Sequence, residues 1–274
     1  MAQHDERALV LDVADYRETS SLVRVFTEHE GRISLVGRGL RRARGGMSSS
    51  AAALQPFNIV RMRFSLKEGA TIGNLISVDT ELAAVAPHQS IEAYALACYW
   101  FEILKTTTQE RAGLVAVFSL TEQMLRCQQR QPGLTLEFLD RLARLCAALG
   151  FGLEWRTCVA CGAPQGNPST PEKTPYPYSH FSVSRGGVVC QRCAEAGVPA
   201  LLLRPPEADI ARQLHRLASS RTGAAEHSDV QNSSPPTPTQ QDLLSFLGVM
   251  NRFLVHHLEH PLQTITFVNQ ALSG

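Results

Sequence analysis

Two C-x2-C pairs, Cys158-Val159-Ala160-Cys161 and Cys190-Gln191-Arg192-Cys193, restrict the folds open to this chain more than any other feature. The two-residue spacing lets both thiolates of a pair reach one ion at about 2.3 Å, and two such knuckles complete a four-sulfur tetrahedron. Gly162 follows the first pair and permits the turn that a knuckle needs. The pairs are 28 residues apart, long for a zinc ribbon, and the excess coincides with five prolines between Pro164 and Pro177. His180 to Val189 then reads as strand, turn (Arg185-Gly186-Gly187) and strand, which would carry the second knuckle back to the first. The expected cofactor is one Zn2+ held by Cys158, Cys161, Cys190 and Cys193. Four thiolates leave no open position, so zinc there is structural and not catalytic. The remaining cysteines, Cys98, Cys127 and Cys146, sit in helical patterns and read as small core residues.

The polar, mixed-charge start Met1 to Arg7 lacks the apolar core of an export signal, and the cysteine number is odd. Both favour a reducing compartment, and the expected location is the cytoplasm. No apolar run reaches 18 residues, so no membrane span is expected. Hydrophobic residues make up 44% of the chain, enough for a packed core.

Residues 1–82 read as strands. Ala8 to Val13, Ser20 to Thr27, Arg32 to Gly37, Phe57 to Leu66 and Ala70 to Val78 are short apolar or alternating runs, with Glu28-His29-Glu30-Gly31 and Lys67-Glu68-Gly69 as turns. In the fourth run Phe57, Ile59, Arg61 and Arg63 share one face, and Val60, Met62, Phe64 and Leu66 the other. Five short strands without a helix-length pattern suit a five-stranded OB-fold β-barrel, which leaves no open edge; a small open sheet is the competitor. From Pro87 the period becomes helical. Ser90 to Lys105, Gly113 to Cys127 and Leu134 to Leu149 predict three helices, and Pro205 to Leu217 and Gln241 to His260 two more.

The expected class is therefore α+β and multidomain. An OB-fold barrel spans 1–82 and an α-helical domain spans 83–150 and 200–274. A zinc-ribbon-like module is inserted at 151–199. Residues 219–241, with Ser233-Ser234-Pro235-Pro236-Thr237-Pro238, read as a mobile linker too polar to offset its ordering entropy.

Lys plus Arg is 26 and Asp plus Glu is 25, a net charge of +1 that excludes a globally basic nucleic-acid binder. The average conceals a polarised chain. Between Gly31 and Lys67 lie eight basic residues, Arg32, Arg38, Arg41, Arg42, Arg44, Arg61, Arg63 and Lys67, and no acidic one. Such a stretch suits a phosphate backbone, and these eight are the candidate DNA contacts. Phe57 could stack on a base, though a core position fits it better. His256-His257-Leu258-Glu259-His260 matches the H-x-x-E-H peptidase pattern, but residues 261–274 supply no acidic ligand, so packed or solvated helix histidines are expected.

Asp15-Tyr16-Arg17-Glu18-Thr19-Ser20-Ser21-Leu22, Phe26-Thr27-Glu28-His29-Glu30-Gly31-Arg32, Val36-Gly37-Arg38-Gly39-Leu40-Arg41-Arg42 and Leu54-Gln55-Pro56-Phe57 together resemble the N-terminal domain of the RecO family of bacterial recombination mediators. The order barrel, helices, knuckles and returning helices resembles that family as well. The resemblance implies a non-enzymatic DNA repair protein. Its implied actions are binding of single- and double-stranded DNA and annealing of complementary strands. Its implied partners are RecR and the C-terminal tail of single-stranded-DNA-binding protein, with help to RecA loading as the outcome, in the nucleoid-associated cytoplasm. By motif match Arg38, Arg41, Arg42 and Arg44 fall in the basic loop region of the barrel. Arg141 and Arg144 are candidates for holding the acidic tail. A zinc-stapled protein-interaction adaptor with incidental DNA contact is the alternative.

Overall fold

The computed structural model describes residues 2–16, 18–38, 49–67, 69–70, 72–109, 113–163, 180–221 and 237–273. By compactness the chain divides into two units, Met1–Gly133 and Leu134–Gly274. The break falls at Pro132-Gly133, inside the stretch 83–150 that helical periodicity marks as one piece. Of the expected linker 219–241, its first residues continue one helix and its last begin another, while 222–236 lie outside the described residues.

In the first unit, β1 (Ala2–Tyr16), β2 (Ser20–Thr27), β3 (Gly31–Arg38), β4 (Ile59–Leu66) and β5 (Ile72–Leu82) form a closed barrel in the order β1-β2-β3-β5-β4. All neighbours are antiparallel except β3 and β5, which are parallel. This is the five-stranded closed form of the expected barrel, and the open sheet is set aside. The short helix α1 (Ser49–Ala53) precedes β4. One strand is far longer than its apolar run, because β1 serves two neighbours. Its first half pairs with β4 (Ala2↔Leu66 to Leu9↔Ile59) and its second with β2 (Ala8↔Thr27 to Tyr16↔Ser20), with a bulge between Val10 and Asp12. Ala8, Val10, Val23, Val25, Ile33, Leu35, Val60, Met62, Phe64 and Leu66 fill the interior. At Gly73, where β5 joins β3 and β4, an added Cβ would lie 2.7 Å from the Ser65 carbonyl oxygen and 2.9 Å from Leu35 Cδ2. Closure requires a glycine there.

Three helices complete this unit: α2 (Val85–Gln89), α3 (Ile91–Thr107) and α4 (Val115–Arg130). Ser90 caps α3 by accepting the Ala93 N–H. Phe57 is buried at φ 74°, with edge-on contacts to Phe101 (4.7 Å) and Tyr94 (5.7 Å), so it is a core residue and not a base platform. Arg7 leaves the barrel wall to donate to Glu81 (2.8 Å) and Glu122 (2.8 Å), and lies 5.2 Å over the Phe118 ring. Burial pushes the Glu122 carboxyl up, but hydrogen bonds and charge from Arg7 and Arg126 outweigh it and hold it below its ordinary value. Its stabilising contribution is present above the unfolded pKa and is lost as pH falls through the lower folded value. Glu122→Gln is expected to cost about 1–2 kcal/mol at neutral pH. In urea melts the gap to the wild type should close on acidification below about pH 4; a gap constant with pH would contradict the ion-pair account.

The second unit comprises α5 (Leu136–Ala148), β6 (His180–Ser182), β7 (Gly187–Val189), α6 (Gln191–Glu195), β8 (Leu201–Leu202), α7 (Pro205–Arg221), α8 (Gln240–Leu258) and α9 (Thr264–Leu272). Thr239 and Asp242 form a capping box at the start of α8. The strands pair in the order β7-β6-β8. Trp155 stacks on Phe181 of β6 (5.5 Å) and tilts against Phe246 of α8 (5.9 Å), while Phe181 meets Phe253 edge-on (6.3 Å). The small sheet thus shares an aromatic core with α8. The histidine motif belongs to the same packing. α8 ends at Leu258, Glu259 is left-handed at φ 51°, and His257 stacks on Phe151 and lies 4.3 Å from the Phe253 ring. Burial, and then the neighbouring His256, lower the His257 pKa. Among the described residues no helix is long and apolar enough to cross a membrane.

Candidate metal centre and nucleic-acid interface

The first knuckle is a turn closed by Cys158 N–H to Ala163 O (2.8 Å) and Gly162 N–H to Cys158 O (2.8 Å), with Gly162 at φ 72°. Backbone bonds from Val159 N–H to Val188 O (3.0 Å) and from Glu154 N–H to Gly186 O (2.9 Å) strap it to the β6–β7 hairpin. The two chains approach so closely that a Cβ at Gly187 would lie 2.4 Å from Val159 Cγ1. In the second knuckle Cys190 is the N-cap of α6, and Cys193 lies in its first turn. The Sγ atoms of Cys158, Cys161, Cys190 and Cys193 all lie within 4.8 Å of one another. Cys161 Sγ to Cys190 Sγ is 3.8 Å. Zinc–sulfur bonds of about 2.3 Å at tetrahedral angles require sulfurs about 3.8 Å apart, so the donor set fits a divalent ion.

The electrostatics agree. Burial pushes the Cys158 thiol up, but backbone N–H groups of Cys190, Ala160 and Cys161 outweigh it and hold it down to about 6. One of these is the Cys190 N–H, 3.3 Å from Cys158 Sγ. Burial raises the Cys190 thiol, and hydrogen bonds to Cys190 and Cys161 push Cys193 up to about 12. Cys158 is the readiest thiolate, and ionising Cys190 and Cys193 beside it calls for a compensating cation. Away from the cluster, Cys127 and Cys146 are buried in helices and burial pushes the Cys146 thiol up to about 12, as inert packing residues should behave.

The basic residues divide. Val36 of β3, Asn74 of β5 and Ser65 of β4 form one outward-facing row. By register, Arg38 and Arg63 lie two residues from it in one direction, and Lys67 lies two residues away in the other. All three are exposed, and Arg63 Nε donates to Ser77 Oγ (3.0 Å). Ile72 (47% exposed) and Ile76 (50%) stand among them on β5. No alternation revealed these isoleucines, because β5 is bulged where Arg63 and Phe64 pair with Ser77 and Leu75. Arg61 is on the same strand face, but its Nε donates to Asp5 Oδ1 (2.6 Å) and its register partner is Asp79. The segment 31–67 is acid-free, yet the barrel brings carboxylates from other strands to Arg61.

Arg32 does not join this group. It is half-buried, donates to the Lys105 carbonyl (2.8 Å), and lines a cavity of about 250 Å3 with Arg24, Lys105 and Asp12. Arg41, Arg42 and Arg44 lie outside the described residues. On α5, Arg141 donates to Glu137 Oε1 (2.7 Å) with 12% of its side chain exposed, and Arg144 is half-buried.

Comparison with known proteins agrees with this architecture. Residues 1–81 match the family model described as Recombination protein O N terminal, and residues 88–264 the one described as Recombination protein O C terminal. DNA repair protein RecO of Desulforudis audaxviator is 27% identical over 276 residues, covering 98% of each chain. The protein of the same name from Myxococcus xanthus is 27% identical over 272 residues, again 98% of each. That of Bacillus pumilus is 25% identical over 218 residues, 80% of this chain and 79% of the relative. With two family models spanning nearly all of a chain that carries a closed five-stranded barrel, a helical region and a four-cysteine cluster, the protein belongs to the RecO family of DNA repair proteins.

Proposed function

We propose that this chain is a recombination mediator that acts by holding DNA and not by making or breaking bonds in it. The observation that carries the reading is the outer face of β3, β5 and β4. There Arg38, Arg63 and Lys67 are exposed around Ile72 and Ile76, and Arg38 leads directly into Arg41, Arg42 and Arg44 in the sequence. Guanidinium and ammonium groups would grip phosphates while the isoleucines offer apolar contact to sugars and unstacked bases. Bound strands of either kind, single or double, would be partly neutralised, and complementary strands could then meet at high local concentration. Annealing in this account needs no catalytic residue.

The four cysteines hold one structural Zn2+ in this proposal, keeping the hairpin and both knuckles together. RecR and the acidic C-terminal tail of single-stranded-DNA-binding protein are the proposed partners, with RecA loading as the downstream result. The nucleoid-associated cytoplasm is the proposed location. For the tail, Arg141 and Arg144 of α5 are the proposed contacts, with Arg141 already donating to Glu137. The adaptor reading has one observation in its favour. A cavity of about 580 Å3 in the second unit is lined by Leu201, Leu202, Arg204, Leu244 and Arg252, with Leu202 70% exposed.

Fluorescence anisotropy with a single-stranded oligonucleotide across a salt series tests the main reading. About four to six phosphate contacts predict a log–log slope of roughly −3 to −4 on single strands. Affinity indifferent to ionic strength would overturn it.

A further inference from the structure

We propose a second metal site, of nitrogen and oxygen ligands, at the barrel end where the β2–β3 turn meets β1. It is independent of the DNA reading and of the four-cysteine cluster. His4 pairs with Phe64 and Glu6 with Met62 across β1 and β4, and Phe64 and Met62 line the interior. Both side chains therefore point inward, one turn of the alternation ahead of buried Ala8 and Val10. An inward carboxylate on a barrel strand is costly unless something compensates it, and the Glu6 side chain is only 12% exposed.

The compensation converges from the turn. The His4 ring is held parallel to Phe64, centroids 4.9 Å apart and planes 5° apart, which aims Nδ1 at both acids. That nitrogen lies 3.5 Å from Glu30 Oε1 and 4.0 Å from Glu6 Oε1. The ligand atoms of His4, Glu6 and Glu30 all lie within 4.8 Å of one another. His29 is adjacent: its backbone N–H donates to Glu6 Oε2 (3.3 Å) and its Nδ1 is 3.8 Å from the same oxygen. Bonds of about 2.0–2.1 Å to a tetrahedral ion need donors about 3.4 Å apart, so the His4–Glu30 pair is already spaced and Glu6 needs a shift of about half an ångström.

One imidazole and two carboxylates suit a divalent transition ion of the zinc or cobalt class. Glu6 already accepts the His29 N–H (3.3 Å), and a divalent cation would add a positive charge shared by both carboxylates. Bound there, the ion would tie the start of β1, which pairs with β4, to the turn between β2 and β3. It would add a side-chain cross-link at the barrel mouth to the backbone bond from Glu28 N–H to Arg7 O (3.1 Å).

The test counts metal in the full-length protein after dialysis against micromolar Zn2+, and repeats the count with Co2+, whose spectrum separates thiolate from nitrogen and oxygen sites. His4→Phe keeps the ring packing on Phe64 and removes the nitrogen. Glu30→Gln changes a turn residue and keeps the result readable if the first variant folds poorly. Both are expected to bind one equivalent less than the wild type, with the thiolate-to-cobalt absorption intact. Cys190→Ser is expected to lose that absorption and keep the barrel-mouth ion. A wild-type count matched by both His4→Phe and Glu30→Gln would overturn the proposal and leave an ion-pair cluster.

Discussion

Replacing Arg38, Arg63 and Lys67 together by glutamate is expected to weaken single-stranded DNA binding about 100-fold at 0.1 M salt. Each phosphate contact on a single strand contributes about 0.7 to the log–log salt slope. Three lost contacts flatten the slope by about 2, and over the decade from 1 M to 0.1 M salt that amounts to about two decades of affinity. The side chains are exposed, so the loss of thermal stability should be small and come from Arg63→Glu, which sets a carboxylate opposite Asp5 on β1. Arg61 is left out of the set because its Nε is paired with Asp5 Oδ1. The companion reversal of Arg41, Arg42 and Arg44 extends the test to the neighbouring segment and should also abolish annealing. The adaptor reading expects binding and annealing unchanged in both triples. Intact affinity in both would move the DNA surface away from this barrel face.

Metal removal should have the largest effect on stability. The expected result of chelation, or of Cys190→Ser, is loss of the packing around Trp155. Trp100 and Trp155 are the two tryptophans of the chain, so Trp100→Phe makes Trp155 the sole reporter. Trp155 is 6% exposed against Phe181 and Phe246, and in that background its emission should shift red when the knuckles open. Structural zinc contributes about 10–16 kcal/mol in small modules that are unfolded without it. Here the hairpin also packs on α8, so the loss is smaller, and a drop in melting temperature of at least about 10 °C is expected. Because Cys190 and Cys193 resist ionisation, zinc uptake near pH 7 should release at least two protons, and affinity should fall as pH falls. An unchanged Trp155 spectrum after complete chelation would mean that the four thiols are not a metal centre.

Much of this was legible beforehand because the signals are local. The two C-x2-C spacings alone name four ligands, since a knuckle is a short-range geometric device. β2, β3 and β4 declared themselves by alternating or β-branched apolar runs, and α3, α4 and α5 by helical period. Other features were hidden for physical reasons. The polar run His4-Asp5-Glu6-Arg7 shows no apolar alternation, yet it is strand, because the barrel must be closed by pairing β1 with β4. The tail after Pro261 forms α9, a helix of nine residues that no long apolar period announces. The acid-free stretch suggested one basic surface, but strand order sends Arg32 toward Arg24 and Lys105 and leaves Arg38, Arg63 and Lys67 together on the β3–β5–β4 face.

Composition and spacing along the chain set the element types, the thiol ligands and the local surplus of positive charge, because each depends on residues a few positions apart. Which arginines share a surface, which carboxylate quenches one of them, and how His4 comes to face Glu30 depend on register and on the parallel β3–β5 contact. Those are long-range pairings. A shift of one residue would turn each of these side chains to the other side of the barrel wall, and nothing short of the closed barrel selects among the registers.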